Sequence, residues 1–373
     1  MRVTQCNAIW LALWLIVACT APAQPVQARP AGAYSQQPHP LQLYPDWMAR
    51  VPDSRYLNDL SIPGTHNSMS RFGGDAAATQ TMPLRAQLYA GVRAFDVRVR
   101  LVRNHLQAYH GPFRQYATLQ QILRTMRQFL LDHPSEVLLV RVRQEGPPTW
   151  STVPIDTAMM METAAHRDLI QVASHTVPRL GSVRGRIILF PESTYFTLHE
   201  VSDAWHLRTN WDLYGKWDTV RNALRKARNS NVFDLTRPWG FVTYLSANGG
   251  VFPYFAASGQ VSSHDHAARL ATGLTTPAFR HVYADFPRVN CFIGICTIAF
   301  EGINYLVLER LRAWKPHYVG IVMADFPGPS LIREIIDINL RAPVPARQIR
   351  SPGWPADRPP GTGLPPHRSS LQG

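Results

Sequence analysis

The stretch LSIPGTHNSM (residues 60–69) is an apolar, strand-like run that ends in a Pro-Gly pair and is followed closely by a histidine, His66. Pro and Gly are strong markers of chain turns, so the stretch predicts a buried strand that stops just before the imidazole. A second apolar run, YVGIVMADF (residues 318–326), leads into Asp325. Both runs place a chemically active side chain where a strand ends.

Strand-like and helix-like segments alternate along the rest of the chain. Strands are predicted at 57–63, 92–100, 106–111, 136–145, 185–190, 240–246 and 318–326, and helices near 79–90, 119–133, 155–172, 216–229, 301–314 and 329–341. Such alternation favours a mainly parallel sheet. Seven or eight units in about 300 residues fit a closed α/β barrel. An open doubly wound sheet is the alternative, although it usually brings a Gly-rich phosphate loop after the first strand, and none follows LSIP.

The N-terminus has the features of a secretory signal. Arg2 precedes an apolar core at 9–17, and small-residue cleavage motifs end at position 28. The core is shorter than a membrane span. We predict a signal peptide over residues 1–28 and a secreted protein. The IVAC sequence also resembles a bacterial lipoprotein box, which would place a lipid on Cys19 and anchor the protein.

Composition divides the remaining chain into three parts. Residues 29–47 are rich in Pro, Gln and Ala and form a predicted N-terminal extension. Residues 48–341 carry the alternating pattern and form the predicted barrel, a single domain. Residues 342–373 are dominated by Pro, Arg, Gly and Ser, which cannot build a core, so we predict a disordered tail.

Two of the four cysteines, Cys291 and Cys296, lie outside the predicted signal, in CFIGIC. In an oxidising compartment so close a pair favours a disulfide that staples a loop. A zinc site would need further ligands, and the sequence has no second pair.

The formal net charge is +13 and the isoelectric point is about 10.0. This charge favours anionic partners such as nucleic acid, acidic polymers or an anionic lipid surface. The arginines are scattered, without the Lys/Arg blocks of nucleic-acid-binding tails, so we do not expect nucleic acid as a partner.

Polar side chains collect at one predicted rim of the barrel, where strands end. They are His66, Asp96, Arg98, His110, Arg143, Glu145 and Asp325. Each alone has an ordinary structural explanation, such as an ion pair or a helix cap. Together they suit chemistry at a phosphodiester. A neutral His accepts a proton from an attacking hydroxyl, a protonated His donates to the leaving oxygen, and an Arg neutralises the phosphate oxygens. A carboxylate behind a His fixes its tautomer.

Four motifs in this order, LSIPGTHNSM, GVRAFDVRVR, AYHGPF and DHPSEVLLVRVRQE, resemble the X domain of bacterial phosphatidylinositol-specific phospholipase C. The likeness extends over about residues 45–341. It implies an irregular, TIM-like α/β barrel that cleaves phosphatidylinositol between glycerol and phosphate. Diacylglycerol and inositol 1,2-cyclic phosphate would be released. It also implies, as partners, a phosphatidylinositol head group and an anionic phospholipid membrane surface, and we expect a monomer.

The resemblance assigns roles by motif. His66 resembles the general base, His110 the general acid and Arg98 the phosphate-binding arginine. Asp96 resembles the acid that supports the acidic side of the site, and Asp325 resembles the carboxylate behind the base. Substrate-binding positions are matched by Asn67, Arg143, Glu145, Asp212 and Tyr214.

Two positions depart from the family pattern. Calcium-dependent relatives carry a second carboxylate where Arg98 stands, so we predict a metal-independent site without a cofactor, although Asn67 is typical of the calcium enzymes. Bacterial relatives place an inositol-binding arginine just beyond the strand at 185–190, where this chain has Pro191 and Glu192. The head group could therefore be phosphatidylinositol, a glycosylated anchor or another phosphodiester.

Two apolar, loop-like segments, 249–259 and 194–198, could enter a lipid surface or pack within the protein. Two other functions stay open at this point. One is a metal-dependent phosphodiesterase of the glycerophosphodiesterase or sphingomyelinase type, and the other is a non-catalytic, lipid-binding barrel.

Overall fold

The structure is a computed structural model that describes residue 29, residues 31–230 and residues 238–341. The predicted signal peptide, with Cys19, and the predicted tail at 342–373 lie outside the described residues.

The strands, in chain order, are β1 (Ile62–Thr65), β2 (Ala94–Val102), β3 (His105–His110), β4 (Phe113–Thr118), β5 (Leu138–Gln144), β6 (Ile170–Val172), β7 (Ile187–Pro191), β8 (Glu200–Ser202), β9 (His206–Leu207), β10 (Phe241–Tyr244), β11 (Asn248–Gly249), β12 (Ala271–Thr275), β13 (Arg288–Phe292), β14 (Ile295–Ala299) and β15 (Ile321–Ala324). The helices are α1 (Leu84–Tyr89), α2 (Leu119–Asp132), α3 (Ile155–Ala164), α4 (Leu180–Val183), α5 (Glu192–Leu198), α6 (Leu213–Asn229), α7 (Pro253–Ser258), α8 (Ile303–Trp314) and α9 (Pro329–Ile338).

A curled parallel sheet forms the centre of the fold, in the order β6-β7-β5-β2-β1-β15-β10-β8. No ladder joins β6 to β8 within the described ranges, so the barrel is open along one seam. This is the irregular, TIM-like α/β barrel predicted from the sequence. The predicted strand at 106–111 departs from that plan, because β3 pairs antiparallel with both β2 and β4.

The sheet register brings the polar strand ends together. Thr65 of β1 pairs with Ala324 of β15, so His66 and Asp325 follow side by side. Gly64 allows this pairing, since a Cβ atom there would lie 2.3 Å from the sulfur of Met323 on β15.

Strand β2 lies beside β5 in the same way. Asp96 pairs with Arg141, and Arg98 pairs with Arg143, at successive positions on one face. Two carboxyl-terminal strand ends therefore supply charged side chains to the same rim as His66.

Helix α2 illustrates how the outer layer is held. Thr118 and Gln121 form a capping box at its start. Its apolar side chains recur every three or four residues and are buried against the sheet, in Leu119, Ile122, Leu123, Met126, Phe129 and Leu130. Each contributes about 1.5–3 kcal/mol of burial free energy, so Leu123→Ala is expected to cost about 2–5 kcal/mol.

The predicted N-terminal extension, 29–47, wraps on the barrel where it is described. Arg29 pairs with Glu301 at 3.0 Å. Tyr34 is buried and donates to the carbonyl of Ser263 at 2.8 Å.

The longest departure from the predicted elements lies between β10 and α8. It contains α7 and a three-stranded antiparallel sheet in the order β12-β14-β13. The predicted disulfide is confirmed, because Cys291 and Cys296 are bonded across β13 and β14.

The two segments expected to be loop-like are instead largely helical. Residues 253–258 form α7, which is buried, and residues 194–198 belong to α5. A short helix depends on apolar packing. Phe255 of α7, for example, lies in a buried hydrophobic cluster. Among the described residues, no helix is long and apolar enough to cross a bilayer.

Candidate active site

The imidazole of His66 lies between a carboxylate and a guanidinium. Its Nδ1 is 2.8 Å from Oδ1 of Asp325, and its Nε2 is 2.8 Å from Nη2 of Arg98. A guanidinium only donates hydrogen bonds, so Nε2 must be the accepting nitrogen and Nδ1–H donates to Asp325. The contacts therefore fix a neutral His66 with its lone pair on Nε2, facing the rim.

Asp96 is the anion that holds this guanidinium. It is fully buried, and its Oδ2 accepts from Nε and Nη2 of Arg98 at 3.4 and 3.3 Å. Burial alone would raise the pKa of Asp96, but Arg98 and Arg141 overcome it and hold the pKa at about 2. Asp96 is therefore a permanent carboxylate under the site.

Asp325 lies in an apolar setting. Burial raises its pKa above the ordinary value, although the hydrogen bond from His66 and the charge of Lys216 oppose that rise. Lys216 of α6 is itself buried and donates to the carbonyl of Tyr244 at 2.7 Å. Burial lowers the pKa of Lys216 to about 8, against the opposing charges of Asp203 and Asp325. Sequence reasoning missed Lys216, because a lysine within an amphipathic helix is usually solvated.

The second imidazole, His110, ends β3. Its Nδ1 is 2.7 Å from the carbonyl oxygen of Ala77 and 3.0 Å from Oγ of Ser70. Because a carbonyl only accepts, Nδ1 carries the proton. Burial, together with the positive charge of Arg98, lowers the pKa of His110 to about 4. The ligand-free protein thus holds His110 neutral at pH 7.

Glu145 links His110 to the rest of the set. Its Oε1 accepts from the backbone N–H of Gly111 at 2.8 Å, and its Oε2 lies 3.6 Å from Nη1 of Arg98. Gly111 directly follows His110. The side chains predicted as base, acid and phosphate ligand therefore form one cluster around Arg98, as the strand-end pattern predicts.

Asn67 follows His66 and is almost fully buried. Its φ is +45°, a conformation that Asn adopts more readily than most residues. Its backbone N–H points to Oδ2 of Asp96 at 3.5 Å. Neither polar atom of its side-chain amide has a hydrogen-bond partner among the described residues. An unpaired buried amide is costly, so this pair of atoms is suited to a ligand.

Arg141 completes the cluster on the side of β5. It donates to the hydroxyl of Tyr244 at 3.0 Å and to Oε1 of Glu192 at 3.0 Å. The ring of Tyr244 meets His66 edge to face, with centroids 5.9 Å apart. Arg143 is half exposed and lies 3.8 Å from the same Glu192 oxygen. Glu192, which stands where relatives carry a ring-binding arginine, is thus the partner of two arginines.

Asp212 and Tyr214 are not joined to this cluster by any contact in the part of the chain that the structure describes. Oδ2 of Asp212 accepts from the backbone of Arg208 and Thr209, at the start of its own helix. Tyr214 packs edge to face on an aromatic group that includes Tyr283. The ring-binding role assigned to this pair therefore has no support from its position.

Asp203 lies closer to the rim of the sheet in sequence position than Asp212 and Tyr214 do, because it lies directly at a strand end. It directly follows β8, whose Ser202 pairs with Thr243 of β10, and so lies at a carboxyl end of the sheet. Its Oδ1 is buried without a hydrogen-bond partner among the described residues. Trp205, two residues on, is exposed. The strand before Asp203 is Glu-Val-Ser, which has a single apolar residue and is too short to recognise from pattern alone.

No group of three or more His, Cys, Asp or Glu side chains within the described ranges is arranged to hold a metal ion. The predicted metal independence stays a prediction.

A known protein family matches the part of the chain that contains most of these site residues. The family described as "Phosphatidylinositol-specific phospholipase C, X domain" matches residues 54–193. This stretch runs from before β1 to the start of α5 and holds His66, Asp96, Arg98 and His110.

The similarity of this chain to the X-domain family is carried by residues 54–193.

Curated relatives match part of this chain. The 1-phosphatidylinositol phosphodiesterase of Listeria monocytogenes is 36% identical over 160 residues, which cover 39% of this chain and 48% of the relative. That of Staphylococcus aureus strain Newman is 26% identical over 155 residues, 39% of this chain and 50% of the relative. Human PI-PLC X domain-containing protein 3 is 33% identical over 144 residues, which cover 29% of this chain and 44% of the relative. The chain spans about half the length of the curated relatives it matches.

Solved structures extend the likeness beyond the X domain. Phosphatidylinositol-specific phospholipase C from Listeria monocytogenes aligns with a TM-score of 0.57 at 24% identity, covering 79% of this chain and 98% of that one. A Staphylococcus aureus phosphatidylinositol-specific phospholipase C aligns with a TM-score of 0.59 at 19% identity, covering 79% and 97%. At these identities the structures establish a shared fold.

Proposed function

We propose that this protein is a phospholipase C that cleaves phosphatidylinositol, or a glycosylated form of it, between the glycerol oxygen and phosphorus. The observation that carries the proposal is the row Asp325–His66–Arg98. It sets an unprotonated Nε2 and a guanidinium on one point of the rim. Glu145 lies 3.6 Å from the same guanidinium and accepts from the backbone N–H of Gly111, the residue after His110.

The reaction needs no oxidant or water in its first step. Nε2 of His66 takes the proton of the inositol 2-hydroxyl, and that oxygen attacks phosphorus. The bond between phosphorus and the glycerol oxygen breaks as His110 gives a proton to that oxygen. Diacylglycerol leaves, and the phosphate remains as a 1,2-cyclic diester on the inositol. The carboxylate of Asp325 stabilises the imidazolium that forms on His66.

His110 must gain a proton before it can donate one. In the ligand-free protein its pKa is about 4, because burial and the positive charge of Arg98 disfavour the imidazolium. A phosphodiester anion bound beside it would favour the imidazolium. Substrate binding would therefore load His110 with the proton that the leaving oxygen takes.

Arg98 and Asn67 are the groups proposed to hold the phosphate. Arg98 is charged at all working pH values and lies within reach of both imidazoles. The unpaired amide of Asn67 offers a donor for a non-bridging oxygen. Donors that are fixed before the charge develops are the main source of electrostatic catalysis in such sites.

The position of Arg98 also bears on whether the site requires a metal ion. Its Nη2 lies 3.3 Å from Asp96 and 2.8 Å from His66, so the guanidinium fills the space beside that carboxylate. We propose that it supplies the positive charge which a divalent cation supplies elsewhere, and that no metal or cofactor is needed.

The proposal also includes an extracellular location and action at a membrane surface. A disulfide between Cys291 and Cys296 suits an oxidising, extracellular environment. The net charge of +13 suits an anionic bilayer, and we propose a secreted monomer that works on its surface.

A direct assay tests the activity. The purified protein is incubated with phosphatidylinositol vesicles and excess chelator, and the water-soluble product is identified by 31P NMR. The proposal expects a cyclic phosphodiester signal, absent in His66→Ala. Product that requires added calcium or magnesium would instead indicate a metal-dependent phosphodiesterase. No product from phosphatidylinositol or a glycosylated anchor at any pH would indicate a binding protein.

A further inference from the structure

Arg100 contacts the residues on either side of His110. It lies two residues after Arg98 on β2, so the two arginine side chains leave the same face of the strand. Its guanidinium lies over the ring of Tyr109, 4.6 Å from the ring centroid. Its Nη2 donates to the carbonyl oxygen of Gly111 at 2.7 Å. Both chain neighbours of the buried imidazole therefore contact one guanidinium.

The same guanidinium also reaches the residue that follows β5. Nε of Arg100 donates to the carbonyl oxygen of Glu145 at 3.0 Å. The carboxylate of Glu145 in turn accepts from the backbone N–H of Gly111 at 2.8 Å. Arg100, Glu145 and Gly111 thus form a closed ring of hydrogen bonds in which each residue is bonded to the other two. This ring ties the end of β5 to the turn that follows His110.

The turn after His110 has a conformation that depends on such bonds. Gly111 has a φ of +51° and begins the tight connection between β3 and β4, in which His110 pairs with Phe113. Glycine adopts a positive φ without steric cost, but it is also the residue with the most freedom to leave that conformation. The N–H of Gly111 is taken by Glu145 and its carbonyl by Arg100, so two outside groups fix the turn.

The backbone next to Glu145 fits closely against the guanidinium. Gly146 has a φ of +78°, and a Cβ atom there would lie 2.7 Å from Nη2 and 3.2 Å from Cζ of Arg100. A glycine is the residue that permits so close an approach of backbone to a side chain. The place of the guanidinium is therefore set by packing as well as by its hydrogen bonds.

The two arginines of β2 serve different imidazoles. Arg98 donates to Nε2 of His66 and to Asp96. Arg100 forms no ion pair with a carboxylate in the part of the chain that the structure describes, and its donors go to backbone carbonyls beside His110. The ion pair that usually explains an arginine on a strand does not explain this one.

We propose that Arg100 is a positioning residue for the general acid, and that it holds the turn at Gly111 so that Nε2 of His110 faces the leaving oxygen. The proposal rests on the proposed function, because only that function makes His110 an acid. Nδ1 of His110 is bonded to the carbonyl of Ala77, which leaves Nε2 to hand over the proton. Arg100 exchanges no proton and acts only through the turn.

A comparison of two leaving groups tests the proposal. The measurement is kcat/KM for an inositol alkyl phosphate and for inositol 4-nitrophenyl phosphate in Arg100→Met, which keeps an unbranched side chain but removes its donors. A nitrophenolate leaves without a proton, so a misplaced acid should affect only the alkyl ester. We expect a loss of about 10–10² on the alkyl ester, the cost of a small misplacement, and little loss on the nitrophenyl ester.

A second readout needs no turnover. The pKa of His110 is lowered to about 4, mainly by burial. If the turn loosens in Arg100→Met, the ring gains access to water, and NMR titration of labelled histidine should show that pKa rising toward 6.5. The control is Arg103→Met, which removes the same charge from an exposed position in the turn between β2 and β3. It should leave both the pKa and the rates unchanged.

Equal losses on the two esters in Arg100→Met would overturn the proposal, because the arginine would then support the site as a whole. An unchanged rate on the alkyl ester or an unchanged pKa of His110 would overturn it too. Thermal unfolding midpoints show whether the variant is folded. If Arg100→Met does not fold, Arg100→Lys takes its place, since a lysine keeps the charge but reaches one carbonyl instead of two, and it should show the same dependence on the ester at a smaller size.

Failure of the proposed function has a different signature. The unchanged protein would then cleave neither ester. The pKa of His110 would still respond to Arg100→Met and not to Arg103→Met, because that response depends only on the turn.

Discussion

Nη2 of Arg98 donates to Nε2 of His66 across 2.8 Å, so a permanent cation occupies the lone pair that the proposed reaction uses as a base. The same guanidinium is held by Asp96. The ligand-free site is therefore a resting arrangement. An incoming phosphate would draw the guanidinium away and release Nε2 toward the hydroxyl that it must deprotonate.

Replacing Arg98 by Lys tests this exchange. A lysine keeps the charge but cannot reach His66, Asp96 and a phosphate oxygen with fixed, planar donors. We expect kcat to fall by about 10²–10³, the loss seen when one fixed transition-state donor is removed. Steady-state kinetics on a soluble inositol phosphodiester measures it. A variant with unchanged kcat would show that charge alone is needed.

His110 should titrate differently with and without an anion. Its pKa is about 4 in the ligand-free protein, because burial and the charge of Arg98 disfavour the imidazolium. NMR titration of labelled histidine should therefore give an apparent pKa near 4. Adding inositol 1-phosphate should raise that pKa, since the bound anion favours the charged ring. An unchanged pKa on binding would remove the proposed source of the acid.

Lys216 is expected to act as a positioning residue through Asp325. Its charge opposes the burial that raises the pKa of Asp325. In Lys216→Met that pKa should rise further, so the carboxylate would ionise only at higher pH. The acid limb of the kcat/KM profile should move upward by a measurable fraction of a pH unit. The control is Lys226→Met on the same helix, an exposed partner of Glu200, which should leave the profile in place. Identical profiles for both variants would contradict the role.

The buried imidazole of His199 predicts acid sensitivity of the fold. Burial lowers its pKa to about 4 from 6.5 in the unfolded chain. The folded state binds fewer protons between these values, so the stabilisation is present above pH 6.5 and lost as pH falls toward 4. The loss is at most about 3 kcal/mol, at about 1.4 kcal/mol per pH unit.

His199→Phe should remove this dependence. The ring would stay within the aromatic group of Phe190 and Trp239. Stability at pH 7 should fall by about 1 kcal/mol from the lost bond to Tyr195, whereas the slope between pH 6.5 and 4 should become shallower. Urea unfolding at several pH values measures both. A slope as steep as that of the unchanged protein would exclude His199 as the titrating group.

The rim of the barrel could be predicted from sequence wherever a strand was long enough to show its pattern. Runs of four apolar residues predicted β5 and β15, and the Pro-Gly pair predicted the end of the first strand, so the polar residues that follow were candidates. The parallel register then brings these candidates together, because it places equivalent strand ends side by side, as with His66 and Asp325.

Residues supplied by short or helical elements could not be found in this way. Asp203 follows a strand of only three residues, and Lys216 lies within a helix whose pattern suggested a solvated face. Asp212 and Tyr214 were assigned by family resemblance alone, and in this chain they lie at the start of α6. The three-stranded sheet after α7 has long-range pairings that no local pattern encodes.

The division of labour between the two imidazoles is tested most directly by changing the leaving group. The measurement is kcat/KM for an inositol alkyl phosphate and for inositol 4-nitrophenyl phosphate, in His66→Ala and in His110→Ala. A nitrophenolate leaves without a proton, so the account predicts that His110→Ala loses about 10²–10⁴ on the alkyl ester but little on the nitrophenyl ester. His66→Ala should lose the same large factor on both. Equal losses on both esters in His110→Ala would contradict the assignment of His110 as the acid.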